Sequence, residues 1–214
     1  MKPSRINGLY AITPDINDSQ RLISMVDAAL AGGIDILQYR NKSTDKTLRM
    51  QQASELLLRC RAYHVPLIIN DDVDLASQIG ADGVHLGASD GSLIEARKKL
   101  GQTRLIGATC YNQLELAQQA IANGADYVAF GSMFSSVTKP AAVKAPLNLL
   151  RDAKTTLQRP VVAIGGIGLD NIAQIASAGA DAAAIISELF DAENIVEQAK
   201  RLRQAFFLPN QNGR

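Results

Sequence analysis

Short apolar runs alternate with amphipathic segments along the chain, and the same phrase precedes four of the runs. A small-residue turn and an aspartate come directly before each of them, as in GGID before ILQYR and GADY before VAFG. The four aspartates are Asp35, Asp82, Asp126 and Asp181. Their spacings of 47, 44 and 55 residues each leave room for two strand–helix units, so the repeat predicts every second strand.

The strands between the repeats are visible as further apolar runs. They lie at residues 9–13, 66–70, 104–109 and 160–164. Helical periodicity fills the gaps, and one predicted buried face consists of Ala53, Leu56, Leu57 and Cys60. Eight strands alternating with helices predict a single (β/α)8 TIM barrel over residues 1–207, with a flexible tail at 208–214. A doubly wound open sheet is the alternative, but it does not predict so regular a repeat.

Two helix starts are predicted from capping residues. Asn112, with Glu115 three positions later, resembles a capping box. Asp170 is predicted to cap the helix that carries Ile172 and Ile175. In both cases the side chain would accept a free N–H group of the first helical turn.

Composition narrows the class of protein. The 214 residues are 47% hydrophobic and 20% charged, as in soluble globular proteins, and the net charge of +1 gives no reason to expect nucleic acid or an anionic membrane as partner. No apolar run reaches the length of a membrane span, and the first residues lack a signal-peptide core. Two cysteines, Cys60 and Cys110, form neither a disulfide framework nor a metal site, so a cytoplasmic protein with reduced thiols is expected. A homo-oligomer is compatible with the sequence.

Polar residues gather where the second predicted strand ends. Alternation along a strand places Gln38, Arg40 and Lys42 on one face, while Tyr39 and Asn41 point away. Active sites of this barrel lie at the carboxyl ends of its strands. One amide and two cations at the barrel mouth suit a polyphosphate, and no acidic neighbour is expected to pair with the cations before Asp45.

Carboxylates follow the third and fourth strands. Mg²⁺ needs only one or two protein carboxylates when substrate phosphate and water complete its coordination, and Asp71 and Asp90 fit that role. Asp72 and Asp74 are expected to form ordinary salt bridges instead. His85 is expected to be a hydrogen-bonded strand residue rather than a catalytic base. Cys110 lies near the mouth but has no histidine partner for nucleophilic catalysis.

A second anionic site is predicted on the other side of the mouth. After the seventh strand comes Gly165-Gly166-Ile167-Gly168, and the eighth strand runs into Ile186-Ser187. Glycines let the backbone approach an anion, and loops after these two strands are the usual phosphate site of the fold. The loop after the sixth strand adds hydroxyls and one lysine at Ser135, Ser136, Thr138 and Lys139. The sequence therefore predicts a monophosphate cradle and a magnesium–polyphosphate site that Lys139 closes.

These segments, in this order, resemble the thiamine-phosphate synthase family from about residue 9 to residue 195. The family's strand-end, Asn-Asp and later acid positions are matched by Gln38, Arg40, Lys42, Asn70, Asp71 and Asp90. Its FGPIFPTxTKP segment is similar to FGSMFSSVTKP here, and its AIGGI segment is present intact at 163–167. Each match alone is weak, whereas the ordered set is highly specific.

The resemblance implies transfer of an aminopyrimidine-methyl group from its diphosphate to a thiazole phosphate, with release of diphosphate. It implies Mg²⁺ held by Asp71 and Asp90. The residues that it implies for the pyrimidine diphosphate are Gln38, Tyr39, Arg40, Asn41, Lys42, Asn70, Thr109 and Lys139, with Arg40, Lys42 and Lys139 as the catalytic cations. Those implied for the thiazole phosphate are Ser136, Val137, Thr138, Gly166, Ile186 and Ser187.

The chain departs from the family pattern at a few positions. Thr109 replaces a usual serine, Asn41 a usual Glu, Ala88 a usual Gln and Tyr111 a usual His, while Ser135-Ser136 replaces Pro-Thr. Two other functions are compatible with the fold. An enzyme that only isomerises the thiazole phosphate need not keep the diphosphate cations and magnesium acids, which this chain has. A non-catalytic paralogue that binds thiamine phosphates has no use for groups that stabilise a leaving diphosphate.

Overall fold

Eight parallel strands form a closed barrel in which each strand pairs with its neighbours in sequence and the last pairs with the first. A computed structural model of the protein describes residues 6–87, 90–135 and 144–208. Its strands are β1 (Gly8–Ile12), β2 (Ile36–Tyr39), β3 (Leu67–Asn70), β4 (Gly83–Leu86), β5 (Leu105–Thr109), β6 (Tyr127–Phe130), β7 (Val161–Ile164) and β8 (Ala182–Ile185). The (β/α)8 prediction is confirmed, and the open sheet is wrong because β8 closes on β1.

Helices follow the strands and cover the barrel. They are α1 (Ser19–Ala31), α2 (Lys46–Ala62), α3 (Val73–Ile79), α4 (Leu93–Leu100), α5 (Leu114–Ala122), α6 (Asn148–Leu157), α7 (Ile172–Ser177), α8 (Ser187–Phe190) and α9 (Ile195–Phe207). None of these helices has both the length and the hydropathy needed to cross a membrane. The predicted tail begins where α9 ends, and apart from Leu208 it lies outside the described residues.

The core has two layers because alternate strand residues face opposite sides of the barrel wall. Aliphatic residues from several strands fill the barrel interior, together with Tyr10 and Tyr127. A larger layer lies between strands and helices. The predicted helical face belongs to this outer layer, since Ala53, Leu56, Leu57 and Cys60 are all buried.

The four repeated aspartates form one set of contacts at the amino-terminal end of the barrel. Each carboxylate accepts a main-chain N–H group near the start of the preceding strand, at 2.8–2.9 Å. The donors are Leu9 for Asp35, Leu67 for Asp82, Ile106 for Asp126 and Val161 for Asp181. The repeat therefore ties neighbouring strands together at the end opposite the carboxyl ends of the strands, where a role in stability is expected.

Both predicted helix caps are wrong. The N-cap residue of α5 is Gln113, and its side chain caps nothing. The N-cap residue of α7 is Asn171 rather than Asp170. The Asn171 side chain bonds to the preceding glycine loop instead, accepting from Gly168 N and donating to Gly166 O at 3.0 Å each. It therefore holds the loop after β7 in shape.

Candidate active site

The end of β2 brings an amide and two cations to the mouth of the barrel. Gln38 is buried on the inner face. The main-chain N–H and C=O of Arg40 both bond to the hydroxyl of Thr13, at 2.9 and 3.0 Å. Within the described residues the ammonium group of Lys42 has no hydrogen-bond or ion-pair partner. We call Gln38, Arg40 and Lys42 the cationic row.

Asp15, in the loop after β1, is an acidic neighbour that the sequence analysis missed. Its carboxylate pairs with the Arg40 guanidinium at 3.1 Å and accepts the main-chain N–H of Lys42 at 2.7 Å. The expectation that the cations have no acid before Asp45 is therefore wrong. The Arg40 side chain nevertheless stays about one-quarter exposed, so part of the guanidinium faces solvent.

The side chains of Tyr39 and Asn41 point away from the cationic row, as strand alternation predicts. The Tyr39 hydroxyl donates to Gln52 Oε1 of α2 at 2.9 Å, and Asn41 Nδ2 donates to the same oxygen at 2.9 Å. Gln52 in turn donates to the carbonyl of Ile16 at 3.2 Å. Tyr39 and Asn41 can therefore reach a ligand in the mouth only through their main-chain groups.

Two carboxylates meet beside the cationic row. Asp71 adopts a positive φ of 62° directly after β3, and its carboxylate lies close enough to that of Asp90 for the two groups to interact. Burial and the charge and hydrogen bond of Asp90 raise the pKa of Asp71 to about 6, against the opposing effects of Asn70 and Arg40. Asn70 Nδ2 donates to Asp71 Oδ2 at 2.5 Å, and Asp90 accepts from Gly87 N at 3.0 Å. A neighbouring carboxylate disfavours ionisation of Asp71, and a bound cation would relieve that repulsion.

Mg²⁺ fits this pair by the chemistry of its donors. Hard carboxylate oxygens are its preferred protein ligands, and it usually retains water or phosphate in its remaining positions. Within the described residues no group of three or more His, Cys, Asp or Glu side chains could hold a metal ion. A two-carboxylate site next to the cationic row is compatible with that finding.

The neighbouring acids serve structural purposes, as predicted. Asp72 pairs with Arg49 at 3.0 Å and caps α3 by accepting from Leu75 N at 2.8 Å. Asp74 pairs with Lys99 on α4. Neither carboxylate is available to the cationic row.

Side chains from five strands form a continuous hydrogen-bonded chain inside the barrel. Gln38 Nε2 donates to the Tyr10 hydroxyl at 2.8 Å, and that hydroxyl is 2.8 Å from the Tyr127 hydroxyl. Tyr127 bonds to Nδ1 of His85 at 3.1 Å, and Nε2 of His85 bonds to the Thr109 hydroxyl at 2.9 Å. The prediction that His85 is a hydrogen-bonded strand residue is confirmed, whereas nothing singled out Tyr10 and Tyr127.

Burial keeps every member of this chain uncharged. Desolvation lowers the pKa of His85 to about 4, so the imidazole is neutral at physiological pH. Desolvation also raises the pKa of both tyrosines far above the usual range. The chain thus consists of protonated hydroxyls and a neutral ring, and it links Gln38 to Thr109.

The loop after β7 has the features of an anion cradle. Gly165 and Gly166 have positive φ values of 101° and 64°, which favour glycine. Among the described residues, no group accepts a hydrogen bond from the main-chain N–H of Gly165, Gly166 or Ile167. Ile186 and Ser187 stand at the start of α8, directly after β8. Successive free N–H groups in such a loop can bind a phosphate.

The loop after β6 packs directly on this cradle. Met133 N donates to Ile164 O and Phe134 N to Gly165 O, both at 3.0 Å. A Cβ atom on Gly166 would lie 2.5 Å from the carbonyl oxygen of Ser135. Glycine is therefore required at 166 by the neighbouring loop as well as by its φ angle. The predicted residues Ser136, Val137, Thr138 and Lys139 lie outside the described residues, as does Ala88.

Comparison with known proteins identifies the family. A family model described as thiamine monophosphate synthase matches residues 9–189. A thiamine-phosphate synthase of Methylobacillus flagellatus is 54% identical over 201 residues, covering 94% of this chain and 96% of the relative. That of Nitrosospira multiformis is 50% identical over 201 residues, covering 94% and 86%. The chain belongs to the thiamine-phosphate synthase family.

Solved structures agree with this assignment. A thiamine phosphate pyrophosphorylase from Pyrococcus furiosus has a TM-score of 0.83 at 33% identity, covering 94% of this chain and 95% of that one. A 3-hexulose-6-phosphate synthase, at 19% identity and a TM-score of 0.69, shares the fold alone. Thiamine-phosphate synthases transfer a pyrimidinylmethyl group with release of diphosphate, and the chain is a transferase of this kind.

Proposed function

We propose that the chain joins the methyl carbon of an aminopyrimidine-methyl diphosphate to the ring nitrogen of a thiazole phosphate. The observation that carries the proposal is the cationic row beside the Asp71–Asp90 pair. The Arg40 guanidinium lowers the pKa of Asp71, so it lies within electrostatic range of the carboxylate pair. Cations and a carboxylate pair at one place suit a diphosphate bound with a divalent cation.

The residues of this site would stabilise the leaving group. Asp71 and Asp90 would hold Mg²⁺, which neutralises charge on the diphosphate when it is bound. Arg40 presents a planar fork to phosphate oxygens, whereas Lys42 offers a point charge with no competing partner among the described residues. Asn70 would donate to a phosphate oxygen, and the sequence assigns a further cation to Lys139. Charge that develops on the diphosphate as the carbon–oxygen bond breaks is then met by groups already in place.

The aminopyrimidine ring can carry positive charge on its methyl carbon once diphosphate leaves. Capture by the thiazole nitrogen then needs correct placement more than a strong base. The cradle of Gly165, Gly166 and Ile167, with Ser187 beside it, would hold the thiazole phosphate through an end that does not react. Ser136, Val137 and Thr138 are proposed to complete that site.

One assay distinguishes this function from its two alternatives. Both substrates are incubated with Mg²⁺, and thiamine phosphate and diphosphate are measured together. Equal amounts of the two products support the proposal. Interconversion of thiazole phosphate isomers without diphosphate release would indicate the isomerase, and binding of thiamine phosphate without turnover would indicate the non-catalytic paralogue.

We further propose that the protein works in the cytoplasm on small molecules alone. Cys60 and Cys110 are both free and buried, as suits a compartment that keeps thiols reduced. The net charge of +1 gives no attraction to nucleic acid. Fractionation of cells that express the tagged protein would locate it.

A further inference from the structure

The hydrogen-bonded chain inside the barrel is polar where such barrels are usually filled by branched aliphatic side chains. Tyr10 and Tyr127 are 117 residues apart in sequence, and their hydroxyls are 2.8 Å apart. Around them the interior layer holds residues such as Ile12, Ile36 and Ile68. Buried hydroxyls stabilise a fold no better than well-packed apolar groups do, so packing alone does not account for two tyrosines and a histidine here.

One end of the chain fixes the direction of every bond in it. Gln38 Nε2 has no lone pair to offer, so Tyr10 must accept from it. Among the described residues, Tyr127 is then the acceptor available to the single hydrogen of Tyr10, and Nδ1 of His85 is the acceptor available to that of Tyr127. A neutral imidazole that accepts at Nδ1 carries its hydrogen on Nε2, so His85 donates to Thr109. The hydroxyl hydrogen of Thr109 is left for another acceptor.

Gln38 is held at the other end, and its side-chain carbonyl oxygen has no donor among the described residues. Gln38 is 3% exposed. The two ends of the chain therefore offer one acceptor and one hydroxyl donor at fixed places, with the second N–H of the amide beside the acceptor. A 4-aminopyrimidine has the complementary pattern, because its amino group donates and its ring nitrogens accept. A 4-oxopyrimidine reverses the pattern at one edge, with an accepting carbonyl next to a donating ring N–H.

We propose that Tyr10, Tyr127 and His85 are positioning residues that make the site select 4-aminopyrimidines over 4-oxopyrimidines. They do so through Gln38, whose carbonyl oxygen they turn toward the mouth, and Thr109, whose hydrogen they leave free. A buried polar group without a partner is costly, so an analogue with the wrong pattern is rejected more strongly than the right one is attracted. The inference rests on the proposed function, because it takes the pyrimidine to bind at this end of β2 and β5.

The experiment measures binding of the 4-amino and 4-oxo pyrimidine-methyl diphosphates by calorimetry in the presence of Mg²⁺. Binding is used rather than turnover because the two rings differ in how readily they ionise. Tyr127→Phe removes the acceptor of the Tyr10 hydrogen, so Tyr10 can donate to Oε1 of a flipped Gln38 as readily as it accepts from Nε2. We expect the ratio of the two dissociation constants to fall by about tenfold or more, while the affinity for thiazole phosphate stays unchanged. An unchanged ratio in the folded variant would overturn the proposal.

A double variant separates selectivity from stability. Tyr127→Phe alone leaves the hydroxyl hydrogen of Tyr10 and Nδ1 of His85 without a partner inside the barrel. Tyr10→Phe with Tyr127→Phe removes that hydrogen, and the Gln38 amide that it releases lies at the mouth, where it can turn to solvent. The double variant should therefore regain part of the lost melting temperature and still fail to discriminate. If the double variant regained discrimination between the two pyrimidines together with its stability, Tyr10 and Tyr127 would have a structural role only.

The direction of the hydrogen bonds between Gln38 and Thr109 can be measured in the unmodified protein. Nitrogen-15 chemical shifts of the imidazole should show His85 with its hydrogen on Nε2 and none on Nδ1, and the signals of exposed His64 can be told apart from them. The opposite tautomer would refute the inference even if no variant folded. Failure of the proposed function looks different, because the unmodified protein would then bind neither diphosphate although the His85 tautomer was correct.

Discussion

Asp15 accepts a hydrogen bond from Arg40, with its Oδ2 atom 3.1 Å from Nη1 of the guanidinium. Its other carboxylate oxygen, Oδ1, accepts the main-chain N–H of Lys42 at 2.7 Å. One acid from the loop after β1 therefore orients both predicted cations at the end of β2. A site that stabilises a leaving diphosphate depends on how accurately such cations are placed.

Replacing Asp15 with alanine should impair use of the pyrimidine diphosphate. Arg40 loses its partner and Lys42 N its acceptor, so we expect kcat/KM for this substrate to fall by about tenfold, or about 1.4 kcal/mol. The KM for thiazole phosphate should not change. Steady-state kinetics with each substrate varied in turn checks this. Asp15→Asn, which keeps an acceptor for Lys42 N, should lose less, and an equal loss would mean that the negative charge matters more than the position of the loop.

The carboxylate pair predicts a specific dependence on Mg²⁺. Asp71→Asn keeps the shape of the side chain but removes a hard anionic ligand, so activity should fall at least about a hundredfold and recover in part at high Mg²⁺. The adjacent Asp72→Asn is the matched control. Asp72 pairs with Arg49 and caps α3, so this change should lower the free energy of unfolding and leave the Mg²⁺ requirement alone. Full activity of Asp71→Asn in the presence of a chelator would contradict the metal site.

A substitution at Gly166 should weaken binding of both substrates and not only of the thiazole phosphate. In Gly166→Ala the new Cβ would lie 2.5 Å from Ser135 O, so the loop after β6 must move and both substrates should bind more weakly. Gly101→Ala is the matched control, because Gly101 has a similar φ of 71° but nothing within 4 Å of the added atom. It should lower the melting temperature without changing either KM. Equal KM values in the unmodified protein and Gly166→Ala would mean that the loop does not position the substrates.

The repeated phrase of turn, aspartate and strand predicted the fold, and the two-residue alternation along β2 predicted the cationic row. Both patterns can be read from short stretches of the sequence. Gln38, Arg40 and Lys42 share a face wherever β2 lies in the barrel. Asp15 was missed because it reaches Arg40 from a different loop, 25 residues earlier in the chain. No local pattern reveals such a contact.

Contacts across the barrel interior were missed for the same reason. The bond between Tyr10 and Tyr127 joins β1 to β6, and either tyrosine alone looks like an ordinary strand residue. Each predicted helix N-cap was wrong by one residue. Asn171, one residue after the predicted Asp170, is the N-cap residue of α7, and its side chain bonds to the glycine loop rather than to the helix.

The two cysteines should be almost inert in the native protein. Burial raises the pKa of both Cys60 and Cys110 to about 12, so both stay as thiols well above pH 8. Because the pKa of each thiol is higher in the folded than in the unfolded state, the unfolded chain loses its protons first as the pH rises. The free energy of unfolding is therefore unaffected by the thiols below the unfolded pKa and falls as the pH rises from there toward 12. Alkylation by iodoacetamide at pH 8, followed by mass spectrometry, should be slow until denaturant is added. Rapid labelling of the native protein at either cysteine would show that its surroundings open.

Substitution of one of the repeated aspartates should lower the free energy of unfolding without lowering the catalytic activity. Asp126 accepts from Ile106 N at 2.9 Å and from Arg97 Nη2 at 2.6 Å, and both side chains of the ion pair are mostly buried. Asp126→Asn keeps an acceptor for the strand but leaves the Arg97 charge uncompensated. Arg97 still donates to three main-chain carbonyls, so we expect a loss of about 1–3 kcal/mol in the free energy of unfolding.

A double-mutant cycle with Arg97→Met isolates the pair from its surroundings. If the ion pair is the cause, Asp126→Asn should cost clearly less in the Arg97→Met background than in the unmodified protein. Urea denaturation measures all four stabilities. The kcat of each folded variant should equal that of the unmodified protein, because Asp126 lies at the amino-terminal end of the strands and the catalytic mouth is at the other end. A large drop in kcat at full stability would mean that the repeat acts on the active site and not on the closure of the barrel.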